Sequence, residues 1–580
     1  MSESPRRGRE ARGAWRVALV TCQSAHVPNI RPVATPREKQ LTLLAAVLGT
    51  SVVFLDATVT SVALPAIRGD LGGGLAGQQW VTNAYLLALG SLLLIGGSLG
   101  DVLGQKRVFL VGVAGFGLTS ALCAIASSIP ELCVFRSMQG VCAALVTPTA
   151  LAVIIHVFPE DERARAIGTW TALSSIVGVI GPFIGGVLIA AGSWRLIFVL
   201  NAPLVLVTVT LIARGVPASA SVGTAGRLDF PGALLAALAL SGSVFAVTEE
   251  PARGWSTLVI GSLATGVLGA IAFVAREARA RAPMLPLNLF RERNFTIGNV
   301  ATLTAYLGLG GVIFLLPVFL QEVSGYSPVQ AGLALLPVTS LMIVLSRRFG
   351  ALADRIGSRV LISLGAMVAG CGLLLLVRVD QRADYLSEVL PALLVFGLGL
   401  AMLVAPLTAT VLGAVEEDHA GVAAAVNTTL SRVAQLFAVA VLGAVVSLAF
   451  ASRVDATLRR AAIDRAGRSA IDRAKRQPLG SPSLVGVPPG ERVLLRATFE
   501  EASVHAFRVA DAIAAALVAS GGLIAFAGIR NPRRRVAAEL CPAGALCGAS
   551  QELVHARRDR HSDRGFVDHA VETRSPQVAP

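Results

Sequence analysis

Charged residues are scarce in this chain of 580 residues: Asp, Glu, Lys and Arg make up 15% of it, against about 25% in a soluble protein. Hydrophobic residues account for 54%, and the mean hydropathy is +0.69. This balance excludes an ordinary soluble domain. About fourteen stretches, each of about 20 apolar residues and long enough to cross a hydrocarbon core of about 30 Å, are divided by short polar connectors. The sequence therefore predicts an all-α integral membrane protein whose spans form a bundle of transport type.

Lysine is almost absent, with single residues at positions 39, 106 and 475. The sequence contains no Gly-x4-Gly-Lys-Ser/Thr loop for nucleotide phosphates, so we do not expect ATP-driven transport, and an ion gradient must supply the energy. The cysteines within or beside apolar stretches lack the spacing of metal ligands. No nucleophile with a base, and no metal cluster, is evident, so we expect neither an enzyme nor a cofactor.

The net charge of +14 does not indicate nucleic-acid binding, because the arginines lie between apolar stretches and at both termini, where anionic lipid attracts them. An N-terminus inside the cell places most arginine-rich connectors on one side, which is then cytoplasmic. Two connectors disagree with this charge rule. The loop with Glu416, Glu417 and Asp418 is expected inside but lacks Lys and Arg, and the segment from about 450 to 505 is rich in Arg but is expected outside. Long loops escape the rule. We expect a multi-pass protein of the cell inner (plasma) membrane with both termini cytoplasmic.

Hydropathy places the predicted spans near residues 41–66, 79–99, 107–127, 132–156, 165–190, 196–213, 230–247, 256–275, 296–319, 328–346, 359–378, 389–412, 420–449 and 506–529. The predicted organisation is a basic cytoplasmic N-terminal tail (1–39), a six-helix half (40–213), an inserted helix pair (228–275), a second six-helix half (295–530) with a long outside loop at about 450–505, and a cytoplasmic C-terminal tail (531–580).

A ten-residue pattern occurs twice and supports this division. Gly97-Ser-Leu-Gly-Asp101-Val-Leu-Gly104-Gln-Lys106, followed by Arg107, recurs as Gly350-Ala-Leu-Ala-Asp354-Arg355-Ile-Gly357-Ser-Arg359. The first copy follows span 2 and the second follows span 10, as expected of two six-span halves separated by an inserted pair. Parallel repeats place a substrate cavity between the halves, near the bilayer midplane. We interpret the two loops as cytoplasmic gates; a tight solvated turn is the alternative.

A charge inside a predicted span costs about 2.5–3.5 kcal/mol, and Asp56 and Arg136 are two such charges. Asp56 is in the middle of span 1, with Thr60 one turn further on, so this polar spot cannot face lipid. Either Asp56 takes up and releases a proton, or it stays ionised and pairs with an arginine for helix packing. Arg136 in span 4 is the candidate counter-charge, because arginine tunes a carboxylate without titrating. The alternative for Arg136 is a snorkelling side chain.

Small residues at helical spacing surround a proline in span 5, in the stretch Gly178-Val-Ile-Gly181-Pro182-Phe-Ile-Gly185-Gly186. Glycine faces let helices approach closely, and the proline bends the helix. A hinge and a purely packing role both remain open. Polar side chains in several spans are candidates for cavity lining, although hydrogen bonding between helices is an equal alternative: Thr60, Gln139, Asn299, Tyr306, Asn427 and Gln435.

The motifs resemble those of a known family. Leu55-Asp56-Ala-Thr58-Val-Thr-Ser-Val-Ala-Leu-Pro65, the Gly97–Arg107 loop, the Arg136–Pro148 stretch and the Gly-Pro of span 5 resemble, in order and spacing, successive motifs of drug:proton antiporters. Three further stretches resemble the fourteen-span EmrB/QacA subfamily of the major facilitator superfamily: Trp194-Arg195-Leu-Ile-Phe198-Val-Leu-Asn201-Ala-Pro203, Pro286-Leu-Asn-Leu-Phe290 and Ser324-Gly-Tyr-Ser-Pro328-Val-Gln-Ala-Gly332. The similarity covers about residues 40 to 530.

The resemblance implies alternating access, with protons and a small organic molecule as partners. We expect a monomer in the lipid bilayer. It assigns Asp56 and Arg136 to proton coupling, the Gly97–Arg107 loop to a cytoplasmic gate and Gly178–Gly186 to the antiporter hinge. Two departures stand out: Val102 replaces a usual arginine, and span 13 lacks the usual glycines around Arg432. The expected function is proton-driven export of drugs or other amphipathic molecules. The alternative is a narrow-specificity exporter or facilitator of a metabolite, natural product or siderophore.

Overall fold

A computed structural model describes residues 34–217, 229–280, 283–415, 420–459, 461, 463–480 and 484–531. Nearly all of both predicted tails and the acidic residues of the 416–419 loop lie outside the described residues, as does the side chain of Asp354. Within the described part, fourteen helices are long and apolar enough to cross a membrane. The predicted all-α fold with about fourteen spans is confirmed.

The spanning helices are Pro36–Leu71 (α1), Gly74–Leu103 (α2), Gln105–Ile125 (α3), Ile129–Val157 (α4), Glu160–Ala190 (α5), Asn201–Gly215 (α6), Phe230–Arg253 (α7), Thr257–Glu277 (α8), Arg293–Glu322 (α9), Leu336–Ile356 (α10), Ser358–Leu376 (α11), Leu390–Leu412 (α12), Ala420–Leu458 (α13) and Pro489–Gly528 (α14). Three short segments belong to the spans that follow them: Leu196–Val199 precedes α6, Pro328–Ala334 precedes α10 and Tyr385–Val389 precedes α12. Two further short helical segments, Leu287–Arg291 and Arg465–Arg476, lie between spans.

The start of the bundle illustrates how the sequence sets helix ends. The Thr35 side chain accepts a hydrogen bond from the Glu38 backbone N–H, and the Glu38 carboxylate accepts one from the Thr35 backbone N–H. Pro36 occupies the first helical position, where its missing N–H costs nothing. Beyond this cap the chain is apolar, and in lipid a helix satisfies every backbone polar group internally.

The two six-helix halves pack alike. In the N-terminal half, α1 packs against α4, α5 and α6, α2 against α4, and α3 against α4 and α6. The equivalent pairs pack in the C-terminal half, formed by α9–α14. Prolines also correspond: Pro65 and Pro317 lie near the ends of α1 and α9, and Pro148 and Pro406 lie within α4 and α12. The internal repeat predicted from the loop motif therefore extends to helix packing.

The inserted pair lies against both halves. Helices α7 and α8 pack closely, and α7 also contacts α2 and α13. A methyl group on Gly242 would lie 2.5 Å from the Ser262 carbonyl oxygen, so a larger residue there would force the pair apart. The Trp80 Nε1–H donates to Glu249 Oε1 at 2.8 Å, which joins α2 to α7. The pair thus covers the seam where α2 meets α13.

The segment expected as a loop from about 450 to 505 is largely helical instead. Helix α13 continues to Leu458, α14 begins at Pro489, and Arg465–Arg476 forms a further helix between them. Helices of 39 and 40 residues are about 60 Å long, twice the hydrocarbon thickness, so both project beyond it. Hydropathy cannot detect these extensions, because their residues are charged.

Candidate functional site

Asp56 is the centre of a buried polar cluster in the N-terminal half. It lies in α1 and is 3% exposed. Its Oδ2 pairs with Arg136 from α4, and its Oδ1 accepts hydrogen bonds from Gln139 Nε2 at 2.9 Å and Asn201 Nδ2 at 3.2 Å. Three donors from two other helices therefore converge on this carboxyl group. Such a set of donors suits an ionised carboxylate.

Arg136 is 1% exposed, so it does not snorkel to the membrane surface. Besides Asp56, its Nη1 donates to Gln139 Oε1 at 2.7 Å, and its Nε donates to the Val81 carbonyl oxygen of α2 at 3.3 Å. The guanidinium carbon lies 4.4 Å from the centroid of the Tyr85 ring, a cation–π contact. The arginine is thus held from several sides and gives its counter-ion a fixed geometry.

Asn201 extends the cluster to two more helices, and the sequence analysis did not assign it a site role. It stands at the start of α6, and its Nδ2 donates to Asp56 and, at 3.0 Å, to Ser120 Oγ of α3. The Ser120 hydroxyl in turn donates to the Phe198 carbonyl oxygen at 2.9 Å. The sequence signal for both residues is weak: Asn201 and Ser120 are polar residues in apolar spans, and Asn201 stands at a helix start. Hydrogen bonds through Asp56 and Asn201 therefore join α1, α3, α4 and α6.

A cavity of about 120 Å³ lies between the halves. The N-terminal half contributes Arg136 and residues of α1 and α2, and the C-terminal half contributes residues of α9 and α13. The full lining is Phe54, Ala57, Thr58, Thr60, Ser61, Thr82, Tyr85, Leu86, Arg136, Gly310, Ile313, Phe314, Arg432, Gln435 and Val439. Pockets for drug-sized ligands measure about 300–1,000 Å³. The halves must therefore separate before this cavity admits such a ligand.

Two charged side chains line this cavity, and both are arginines. Arg136 is paired with Asp56. Arg432 of α13 donates to Gln435 Oε1 at 3.2 Å and lies 5.7 Å from the centroid of the Phe54 ring, and no carboxylate among the described residues pairs with it. The cavity wall therefore carries one uncompensated positive charge, and it includes the aromatic side chains of Phe54, Tyr85 and Phe314.

Of the predicted cavity residues, Thr60 and Gln435 line this cavity, whereas Gln139, Asn299, Tyr306 and Asn427 do not. Gln139 is fully buried behind Arg136. The two asparagines satisfy each other, because Asn427 Nδ2 donates to Asn299 Oδ1 at 3.1 Å and to Thr302 Oγ1 at 2.9 Å. Those polar positions join α9 to α13, which was the alternative interpretation.

The small residues of α5 contact both halves. A methyl group on Gly181 would meet Thr58, and one on Gly185 would lie 2.8 Å from the Val59 side chain, so this face packs against α1. A methyl group on Gly178 would lie 3.7 Å from the Cβ of Phe54, which also belongs to α1.

Gly186 contacts the other half. A methyl group there would lie 2.5 Å from the Pro328 carbonyl oxygen and 2.7 Å from the Val329 Cα. Pro182 is also a contact of the C-terminal half, because its carbonyl oxygen lies against Gly332. The proposed hinge segment is therefore itself part of the interface between the halves.

Polar contacts join the halves at the end of the bundle opposite the repeated loops. Arg68 at the end of α1 pairs with Glu322 at the end of α9, and both side chains are largely buried. Gln321 Nε2 donates to the Val62 carbonyl oxygen at 3.0 Å. Gln79 Nε2 of α2 donates to the Val439 carbonyl oxygen of α13 at 2.7 Å. In this conformation the cavity is sealed at that end.

The two repeated loops share a backbone conformation. Gly104 has φ 94° and ψ 128°, and Gly357 has φ 95° and ψ 139°. Residues with a side chain rarely adopt this region, so glycine is needed at both positions. Each glycine ends one helix and begins the next.

The remaining loop residues differ in their surroundings. Asp101 Oδ1 accepts a hydrogen bond from Gln105 Nε2 at 2.7 Å, and Gly97 faces Pro148. The Arg359 guanidinium lies 4.5 Å from the Phe526 ring centroid. Arg107 and Arg355 are exposed. The loops are thus tight turns with basic surfaces, and their role as gates stays a prediction.

Comparison with known proteins agrees with this architecture. The family model described as Major Facilitator Superfamily matches residues 46–439. The chain belongs to this superfamily. It is 36% identical over 437 residues to the multidrug resistance protein Stp of Mycobacterium tuberculosis, covering 75% of this chain and 81% of Stp. It is 32% identical over 481 residues to the tetracenomycin C resistance and export protein of Streptomyces glaucescens, covering 82% of this chain and 89% of that protein.

The puromycin resistance protein of Streptomyces alboniger is 37% identical to this chain over 407 residues, covering 70% and 80% of the two chains. Among solved structures, an inward-facing, unoccupied bacterial homolog of the human lysosomal transporter Spinster aligns with a TM-score of 0.57 and 18% identity. That alignment covers 86% of this chain and 100% of the other. At such identity the structural likeness supports the superfamily fold alone.

Proposed function

We propose that this protein exports small organic molecules from the cell in exchange for protons. The observation that carries the proposal is the buried pair of Asp56 and Arg136, of which Arg136 lines the cavity between the halves. Asp56 supplies a carboxyl group that binds a proton, and Arg136 both holds that carboxyl group and faces the cavity. Asp56 can thus bind the proton, and Arg136 beside it can contact the substrate, which are the two species that an antiporter exchanges.

Protonation of Asp56 changes the shape of the cluster. A neutral carboxyl group attracts Arg136 far less than a carboxylate does, and an acidic proton replaces one acceptor site. A proton on Oδ2 removes the acceptor of Arg136, whereas Oδ1 still accepts from Gln139 and Asn201. Arg136 is left with Gln139 and the Val81 carbonyl oxygen, and its position at the cavity wall shifts. Proton binding and substrate binding therefore act on the same side chain, which is the physical basis of exchange.

The orientation follows from charge. With the arginine-rich repeated loops in the cytoplasm, the sealed end near Arg68 and Glu322 faces the outside. The cavity then receives substrate from the cytoplasmic side after the halves separate there. Opening towards the outside requires rupture of the contact between Arg68 and Glu322 and separation of Gly186 from the C-terminal half. Each elementary charge that moves inward through 100 mV provides about 2.3 kcal/mol for this cycle.

The cavity wall favours uncharged aromatic molecules that carry hydrogen-bond acceptors. Phe54, Tyr85 and Phe314 offer stacking surfaces, while Arg432 and Gln435 offer donors. A permanent cation would be repelled by Arg432 in a site of low dielectric. Several relatives are named for resistance to antibiotics, among them tetracenomycin C and puromycin, so antibiotics are the first compounds to test.

Reconstituted vesicles provide the test. Purified protein is inserted into liposomes that enclose a fluorescent pH probe, and a panel of antibiotics is added under an imposed proton gradient. We expect substrate-dependent proton movement with the wild type and none with Asp56→Asn. Asp70→Asn is the matched control, because Asp70 belongs to the same helix but pairs with Arg195 at 2.5 Å near the surface. If the wild type moves substrate but never moves protons, the protein is a facilitator and not an antiporter.

A further inference from the structure

A second carboxyl group is buried within the membrane-spanning bundle, in the other half of the protein. Asp511 lies in α14 at the start of the apolar stretch Ala512-Ile-Ala-Ala-Ala-Leu-Val. It is 4% exposed. A charged carboxylate costs about 2.5–3.5 kcal/mol in a membrane span by insertion scales, and unpaired burial in protein is costly as well. This position therefore requires a physical explanation.

The Asp511 carboxyl group has no partner among the described residues. Its Oδ2 is fully buried without a hydrogen bond, and no ion pair or hydrogen bond involves either oxygen. A void of about 10 Å³ adjoins the carboxyl group, which is at the lower limit for a single water molecule. The Asp56 carboxyl group is equally buried but differs in its hydrogen bonds, because three donors contact its two oxygens.

Every helix packed around Asp511 presents apolar side chains to it. The void is lined from α9, α11 and α13, and by neighbours on α14 itself: Gly311, Val312, Leu315, Leu316, Leu376, Leu442, Phe507, Ala510 and Ala514. The cation nearest in sequence, Arg508, donates instead to the carbonyl oxygens of Val379 at 3.2 Å and Arg378 at 3.5 Å. No titratable or charged side chain lines the void to stabilise an ionised Asp511.

A buried carboxyl group without a partner takes up a proton rather than remain an isolated ion. We propose that Asp511 is a second proton-binding site, in the C-terminal half, that holds a proton in this conformation and releases it when the half rearranges. The bound state is a neutral carboxylic acid, and release returns the proton to water as the carboxylate forms. The release step rests on the proposed proton-driven cycle, whereas the bound proton does not.

The position of Asp511 couples it to the moving parts. Gly311 of α9 lines the void, and the adjacent Gly310 lines the central cavity. On α13, Leu442 lines the void and Val439, one turn earlier, lines the cavity. A shift of α9 and α13 that opens the cavity therefore also alters the surroundings of Asp511. Phe507, one turn before Asp511, stacks on Phe319 with ring centroids 4.2 Å apart and closes the void on that side.

Infrared spectroscopy tests the bound proton directly. A protonated carboxyl group gives a C=O stretching band that carboxylates and amides lack, and it is measured on purified wild type, Asp511→Asn and Asp70→Asn. We expect the wild type and Asp70→Asn to show a band that Asp511→Asn has lost. Identical bands in all three folded proteins would overturn the proposal. Modification of Asp511 by an apolar carbodiimide, which requires a protonated carboxyl group, is the expected companion result.

Proton counting tests the release. In vesicles, the number of protons moved for each substrate exported is compared between wild type and Asp511→Asn, together with substrate exchange in the absence of a gradient. We expect the variant to exchange substrate but to move fewer protons per substrate. An unchanged ratio would make Asp511 a permanently neutral acid and overturn the release step. Absence of proton movement in the wild type would refute the antiporter function itself, while the infrared band would still decide whether Asp511 binds a proton.

Discussion

The ion pair of Asp56 and Arg136 should dominate the stability of the N-terminal half. Replacement of Arg136 by Gln removes the donors to Asp56 and to the Val81 carbonyl oxygen and leaves a carboxylate that is 3% exposed. Replacement of Asp56 by Asn leaves a guanidinium that is 1% exposed. Each single change therefore strands a charge in the interior.

The expected magnitudes follow from burial. Removal of one partner of a buried ion pair costs about 3–5 kcal/mol in the free energy of unfolding. Removal of both partners strands no charge, and Gln139 and Asn201 can donate to the new amide, so the double variant should lose less than the sum of the single losses. We expect a coupling energy of about 2–3 kcal/mol between the two positions.

The assay is unfolding by SDS in mixed micelles, followed by circular dichroism, for the wild type, Asp56→Asn, Arg136→Gln and the double variant. Reversibility is checked by dilution of the denaturant. If the stability losses of the two single variants add up to the loss of the double variant, neither residue depends on the charge of the other, and the predicted coupling is absent. An Asp70→Asn control should lose far less stability than either single variant, because exposed ion pairs contribute little.

Other consequences follow from contacts between the halves. Gly186→Ala would place a methyl group 2.5 Å from the opposing backbone, so export should fall several-fold, whereas Gly168→Ala, with nothing within 4 Å, should not alter export. Arg432→Gln should raise the ratio of cationic to uncharged substrate exported in vesicles several-fold, and an unchanged ratio would remove the residue from selectivity. Arg68→Glu and Glu322→Arg should each reduce export, while the combined swap should restore part of it; no recovery would mean that their pairing does not hold the closed end.

The sequence predicts the features that have a strong local signal. Fourteen apolar stretches give the spans, because lipid demands long uninterrupted helices. A repeated loop motif gives the two halves, since glycine is required at Gly104 and Gly357. A charge such as Asp56 in the middle of a span is costly enough to mark a site without any structure.

Other features depend on tertiary contacts and leave little trace in one sequence. Asn299 and Asn427 look like cavity residues, but they bond to each other across α9 and α13. Asn201 stands at a helix start, where polar residues are common, and its contact with Asp56 arises from helix packing. Asp511 begins an apolar stretch and resembles a boundary residue until its burial is known. The helical extensions of α13 and α14 lie beyond the membrane and have no hydropathy signal.

Proton release on substrate binding reports whether the Asp56 and Arg136 pair exchanges a proton for substrate. Purified protein in weakly buffered detergent solution is mixed with an identified substrate at a series of pH values, and released protons are counted with a pH indicator. Substrate should displace protons from the wild type within a limited pH range, and Asp56→Asn should release markedly fewer. Substrate binding of normal affinity with no proton release from the wild type at any pH would contradict exchange at the Asp56 and Arg136 pair.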